Sequence, residues 1–242
     1  MTTALQQKDA RALASATSIS LTMTSSLTAG STVVGCVTMG SATPGNLTSV
    51  TVDGVTATLL TAVTDSGNSQ TNTGFILKNV SAGAGVVTAN FSISMAARAL
   101  AAHEVGGANT GTQPDGENAK FWSITPGTGT DANTANAAIT PSLDGCYFFC
   151  ATQDTTGGSV HTAGTDFTRD TNGSIADMDF SSEHYIQTTA ASHIGSWTES
   201  IGDLMLTNLI VVKAAAAGGA TAARVPKSRP FPYKPGSPRG LR

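Results

Sequence analysis

The side chains able to do chemistry are few and scattered. The chain carries four histidines, His103, His161, His184 and His193, three cysteines, Cys36, Cys146 and Cys150, and sixteen Asp or Glu in 242 residues. No nucleophile elbow, phosphate-binding glycine loop, paired zinc-ligand motif or dinucleotide fingerprint occurs among them. His103 and Glu104 are adjacent in a stretch with strand periodicity, where neighbours face opposite sides, so they cannot act as one unit. Each histidine therefore reads as a solvated or hydrogen-bonded surface residue, and no residue is nominated as catalytic. Cys146 and Cys150 in DGCYFFCA fall on one face of a strand with Phe148 between them. Two such sulfurs sit roughly 13 Å apart and cannot bond. They read as buried, reduced core thiols.

Two other groupings could bind something. The stretch TDFTRDTNGSIADMDF concentrates Asp166, Asp170, Asp177 and Asp179. Calcium takes six to eight oxygens. EF-hand spacing fails, however, because Gly173 follows Asn172 directly and no Glu closes the loop. The expectation is a solvated acidic turn, with a calcium site as the alternative. Trp122, Tyr185 and Trp197 could stack on sugar rings, but aromatics make up only 5% of the chain and the core needs them. Core packing is the first reading and a glycan platform the second. No cofactor is implied.

The elements that must position these residues follow from period-two patterning. Ile19, Leu21 and Met23 alternate with Ser and Thr; STVVGCVTMG and LTSVTVDGVTATLL follow, the latter with Asp53-Gly54 as a hairpin signal. Further strands are expected in GFILKNV (74–80), VVTANFSISM (86–95), ARALAAHEV (97–105), 121–124, CYFFCATQ (146–153), HYIQTT (184–189), HIGSWTES (193–200) and LMLTNLIVVKAA (204–215). Ten to twelve strands separated by Gly, Asn, Asp and Ser predict an all-β antiparallel sandwich. Residues 1–16 are expected as an N-terminal arm or short helix, since Leu5 to Ala14 have good helix propensity. Residues 17–215 form the sandwich, either one body or two sub-sandwiches split near 106–116. No stretch of eighteen apolar residues suggests a membrane span. Lys8, Asp9 and Arg11 interrupt the opening where a secretory signal would be apolar, so no secretory signal is expected there.

Residues 216–242 are different in kind. Arg224 to Arg242 hold six of the thirteen Lys and Arg and five of the nine Pro, with no Asp or Glu. The preceding 223 residues carry seven basic and sixteen acidic side chains, so a body of −9 is joined to an arm of +6. Proline fixes φ and removes donors, so the arm favours extended polyproline II. Arg224, Lys227, Arg229, Lys234, Arg239 and Arg242 supply charge, and Phe231 and Tyr233, flanked by prolines, read as anchors for apolar pockets of a neighbouring subunit. Nucleic acid is disfavoured, because the acidic body would repel a duplex and the prolines space the charges widely.

The order of features, Ala29-Gly30-Ser31-Thr32-Val33-Val34, Leu47 to Gly54, Lys78 to Gly83, Ala99 to Val105, Tyr185, Ser196-Trp197-Thr198 and Leu209 to Lys213, resembles β-sandwich domains of tailed-bacteriophage virion proteins and some bacterial surface proteins. The resemblance covers residues 17 to 215 and lies in strand and turn patterning. It implies a jelly-roll or immunoglobulin-like sandwich serving as a decoration, fibre or tail-associated module. The function expected from it is non-enzymatic: a virion protein held by its arm to major capsid or tail subunits and forming homo-oligomers. A carbohydrate-binding or adhesin module is the alternative.

Overall fold

In a computed structural model the chain is all-β, in several antiparallel sheets. The structure describes residues 2–123, 137–154, 160–175, 178–199 and 204–216. The first sheet is built from residues 4–106: β1 (Ala4–Thr22), β2 (Thr32–Met39), β3 (Leu47–Val52), β4 (Val55–Thr56), β5 (Thr58–Asp65), β6 (Gln70–Leu77) and β7 (Val86–Gly106). They pair in the order β4-β3-β7-β2-β6-β5, with β1 along the free side of β7. The second sheet takes β8 (Gly116–Ser123), β9 (Tyr147–Asp154), β11 (Thr168–Ile175), β12 (Met178–Ile186) and β14 (Leu204–Val212), in the order β11-β12-β9-β14-β8. A two-stranded ribbon, β10 (His161–Ala163) with β13 (Trp197–Glu199), completes the set.

The two large sheets stack strand over strand in a sandwich-like arrangement. β1 lies beside β11, β7 beside β12, β2 beside β9, β6 beside β14 and β5 beside β8. Val34, Cys36, Ile76 and Val105 of the first sheet meet Tyr147, Phe149, Ala151, Ile210 and Val212 of the second. The alternate residues of the same strands fill two further cores. Val33, Val37, Phe75 and Leu100 pack with Ile19, Leu21, Val50, Val87 and Phe91. Cys146, Phe148 and Cys150 pack with Trp197, Met205, Leu209 and Val211. β2 and β9 are buried at every position, which is why STVVGCVTM and CYFFCA read as nearly continuous apolar runs rather than as clean alternation.

Close packing between the sheets dictates small residues. A Cβ added at Gly74 on β6 would lie 2.8 Å from Ile210 Cδ1 on β14. Within the first sheet, on the face turned away from the second, a Cβ at Gly35 of β2 would collide with the Ala101 carbonyl and the Phe75 ring of its neighbouring strands.

Two expectations are corrected here. Leu5 to Ala14 are strand, not helix: β1 pairs with β7 from Ala4 to Ala14, and that ladder outweighs helix propensity, a weak prior that tertiary pairing overrides. The separate strands expected at 86–95 and 97–105 are one strand, β7. Between Ala16↔Met95 and Ser18↔Asn90, β7 carries four residues against a single one on β1. Such a bulge bends the ribbon, and its far half, with β3, covers the outer face of β2 and β6. The Asp53-Gly54 turn is as expected, with φ of 47° and 81° in the left-handed region. The 106–116 segment carries the chain from the first sheet to the second, pinned by the Ala108↔Ala214 bridge.

Candidate functional site

The densest polar grouping lies between the sheets where β1 meets β11. β7 presents His103, β9 presents Tyr147, β12 presents Ser182 and His184, β11 presents Asp170, and Lys8 on β1 closes the side. His103 Nδ1 and the Tyr147 hydroxyl are 2.7 Å apart. His103 Nε2 lies 3.4 Å from Ser182 Oγ and 3.7 Å from Asp170 Oδ2. Asp170 is held by His184 Nδ1 at 2.8 Å and by the Lys8 ammonium. The ring of His103 also meets Phe149 edge-on at 4.8 Å between centroids.

Burial sets the protonation states. Desolvation pulls His103 down from its ordinary value to about 3, against the pull of the Asp170 carboxylate, so at neutral pH the imidazole is uncharged. Burial alone would raise Asp170, but the His184 hydrogen bond, His103 and Lys8 hold it below the usual carboxylate range. Burial and the Asp170 charge push the Tyr147 phenol well up. Ser182, His103 and Asp170 make a row of hydroxyl, imidazole and carboxylate, but both oxygens meet the same nitrogen, Nε2, while Tyr147 holds Nδ1, so no relay runs through the ring. Ser182 and His103 are both 0% exposed. No reactive atom of that row meets solvent. What the arrangement does is join five strands of two sheets through one ion pair and its hydrogen bonds.

A second polar group lies on the far face of the second sheet, under the β10–β13 ribbon. His161 Nε2 is 3.3 Å from Asp154 Oδ2, and its Nδ1 is 2.8 Å from Ser181 Oγ. Asp154 Oδ1 accepts the Asp179 N–H at 3.0 Å. Glu183, fully buried, accepts the Gly164 N–H at 2.9 Å. Burial drives the Glu183 carboxyl up to about 8, although the hydrogen bonds from Gly164 and the Cys150 thiol oppose it. Burial, then the nearby Glu183, raises Cys150 in turn. A neutral acid beside a neutral thiol is how this face stays apolar enough to pack Trp197.

The residues singled out from sequence fall as follows. The surface reading of the histidines is corrected for His103 and His161, both fully buried: His103 lies on the part of β7 sandwiched between the sheets, and His161 is the one inward residue of β10, turned onto Asp154, Ser181 and Trp197. The three cysteines are buried and free. Trp197 is 0% exposed, its ring 5.9 Å from His161, and Tyr185 is half-buried against Phe148, Phe167 and His193. Trp197 thus packs in the core, as first read, and Tyr185 is partly so; Trp122 belongs to β8, and nothing of its side chain is described.

The acidic stretch is divided by the sheet. Asp166 is exposed at φ 71°, Asp170 joins His184 and Lys8, Asp179 is buried and donates its backbone N–H to Asp154, and Asp177 lies outside the described residues. Among the described residues no group of three His, Cys, Asp or Glu could hold a metal ion. Arg224, Lys227, Arg229, Phe231, Tyr233, Lys234, Arg239 and Arg242 also lie outside the described residues.

Missed from the sequence was Glu104, 1% exposed, which accepts from Gln7 Nε2 at 2.5 Å, the Thr28 N–H at 2.6 Å and Ser31 Oγ at 2.7 Å. It ties the 24–31 connection to β7. Also missed was a pocket of about 260 Å³ at the end of the first sheet, lined by Leu27, Val52, Val55, Leu77, Lys78 and Val80 among others.

No family model, curated protein or solved structure matches the chain.

Proposed function

We propose that this chain is a non-enzymatic structural protein of a tailed-phage virion, a decoration, cement or tail-associated module attached to neighbouring subunits by its C-terminal arm. The jelly-roll or immunoglobulin-like type of sandwich belongs to the same reading. The observation that carries it is the separation of charge: six of thirteen basic side chains and five of nine prolines lie in the last nineteen residues, with no acid among them. The supporting observation is the body's economy of chemistry. Its Ser–His–Asp row and its Glu–Cys pair are spent on holding strands together, and no reactive atom of either is offered at the surface.

Many weak contacts multiplied by copy number suit such a module, and Lys and Arg pairing with acidic shell surfaces would guide docking. Deletion of residues 224–242 tests the reading. The truncated protein is expected to keep the β-type circular dichroism of the full chain and to be missing from purified particles. Truncated protein present at normal occupancy contradicts the attachment role.

A further inference from the structure

The pocket at the end of the first sheet has a fixed shape. Its floor is the buried Leu27, Val52 and Val80, and its walls are Val55, 58% exposed, and Leu77. Asp53, Lys78, Asn79 and Ser81 form the rim. Two tight turns hold the walls. Asp53 accepts the Gly85 and Val86 N–H groups at 3.0 and 2.8 Å. Across the other wall, Val80 N–H donates to Ser31 at 2.9 Å and Gly30 N–H to Val80 at 2.8 Å. At about 260 Å³ it falls below the ~300–1,000 Å³ of small-molecule sites and suits one or two large side chains.

The chain leaves the fold at the same end. Ala215 N–H donates to the Gly107 carbonyl at 2.9 Å, and the Lys78 ammonium on the pocket rim binds the Gly111 carbonyl of the same loop. Twenty-six residues follow Ala216. Phe231 is the fifteenth of them, so at ~3.1 Å per residue an extended arm places its ring up to about 45 Å away. A body of 223 residues has a radius of gyration of about 17 Å and a width of about 45 Å. The reach matches one body width, and a +6 arm laid over a −9 body is attracted along its length.

We propose that this pocket receives the Pro230-Phe231-Pro232-Tyr233 segment of a second copy's arm, with Phe231 entering between Val55, Leu77 and Val80. This rests on the arm being an attachment device and names its partner as another copy of the same chain. Prolines on both sides of Phe231 pre-set the extended backbone, so little conformational freedom is lost on docking. The contact is heterologous, pocket to arm, and propagates into rings or open arrays.

Full-length protein tests it by sedimentation velocity over a concentration series. Wild type is expected to self-associate, with Val55→Asp and Phe231→Ala each weakening association at least tenfold. Val55 is 58% exposed and outside the buried cores, so its variant is expected to keep the β-type circular dichroism of wild type. Mixing full-length Val55→Cys with full-length Phe231→Cys under mild oxidation is expected to give a disulfide-linked heterodimer; the three native thiols are buried and do not compete. A monomeric wild type with no heterodimer overturns the proposal. So does a Val55→Cys/Phe231→Cys double variant that closes only within one chain. If arm-deleted protein is lost from particles while Val55→Asp is incorporated in full, the attachment reading stands and this pocket assignment falls.

Discussion

Glu183→Gln isolates the carboxyl whose burial bears on stability across neutral pH. The carboxyl is fully buried, its ordinary value is 4.5, and burial carries it to about 8 in the folded protein. Below pH 4.5 both folded and unfolded chains hold the proton. Between 4.5 and 8 the unfolded chain releases it while the folded one keeps it, so the native state binds more protons and stability falls as pH rises. At 1.36 kcal/mol per unit, a displacement of about 3.5 units costs on the order of 4–5 kcal/mol by pH 8. That is a large part of the ~5–15 kcal/mol typical of a domain.

Glutamine keeps the shape and the acceptor for the Gly164 N–H and has no proton to lose. His103 acts with the opposite sign: its folded value of about 3 lies below its ordinary 6.5, so its stabilising effect is lost as pH falls through that window. Both proteins share this term, and it cancels in the difference. Urea unfolding at half-unit steps from pH 4.5 to 8.5, followed by the fluorescence of the two tryptophans, of which Trp197 is buried beside this site, is the assay. The stability of Glu183→Gln relative to wild type is expected to rise by about 4 kcal/mol across the range, whatever its offset at pH 4.5. A difference that stays flat to within about 1 kcal/mol would refute the reasoning, because Glu183 would then ionise alike in both states.

Two further outcomes follow from packing and turn geometry. Gly74→Ala should destabilise by about 1–3 kcal/mol in urea unfolding, since its methyl meets Ile210 Cδ1, and adding Ile210→Val, which removes that atom, should recover most of the loss. Asp53→Ala, which orphans the Gly85 and Val86 N–H groups and puts alanine at a φ of 47°, should cost about 1–3 kcal/mol. By calorimetry that is a melting temperature lower by about 2–10 °C, with Asp53→Asn milder because Asn tolerates the left-handed region.

How much of this was legible in the sequence depended on whether one local signal decided the structure. Asp53-Gly54 fixed a hairpin because two left-handed residues leave few alternatives. The alternation of Cys146, Phe148 and Cys150 placed them on one face, where they are found. Period two could not reveal a strand polar on both faces: in Ser181-Ser182-Glu183-His184, the even residues join His103 and Asp170 while the odd ones join His161 and Gly164.

Nor could it reveal that four strands would supply His103, Tyr147, Asp170 and His184 to one point, since that convergence is a property of sheet stacking. Leu5 to Ala14 were misjudged for the same reason. Their partner lies some ninety residues onward, at 97–106, beyond any local window. The pocket was invisible because Leu27, Val52, Val55, Leu77 and Val80 come from three separate stretches.

Imaging the purified particle by electron cryomicroscopy tests the central claim most directly. The account predicts density for this two-sheet body at many equivalent positions on the capsid or tail, with an extended strand running from each Ala216 onto an adjacent subunit. Particles without that density, alongside unassembled protein in the soluble fraction, would contradict it.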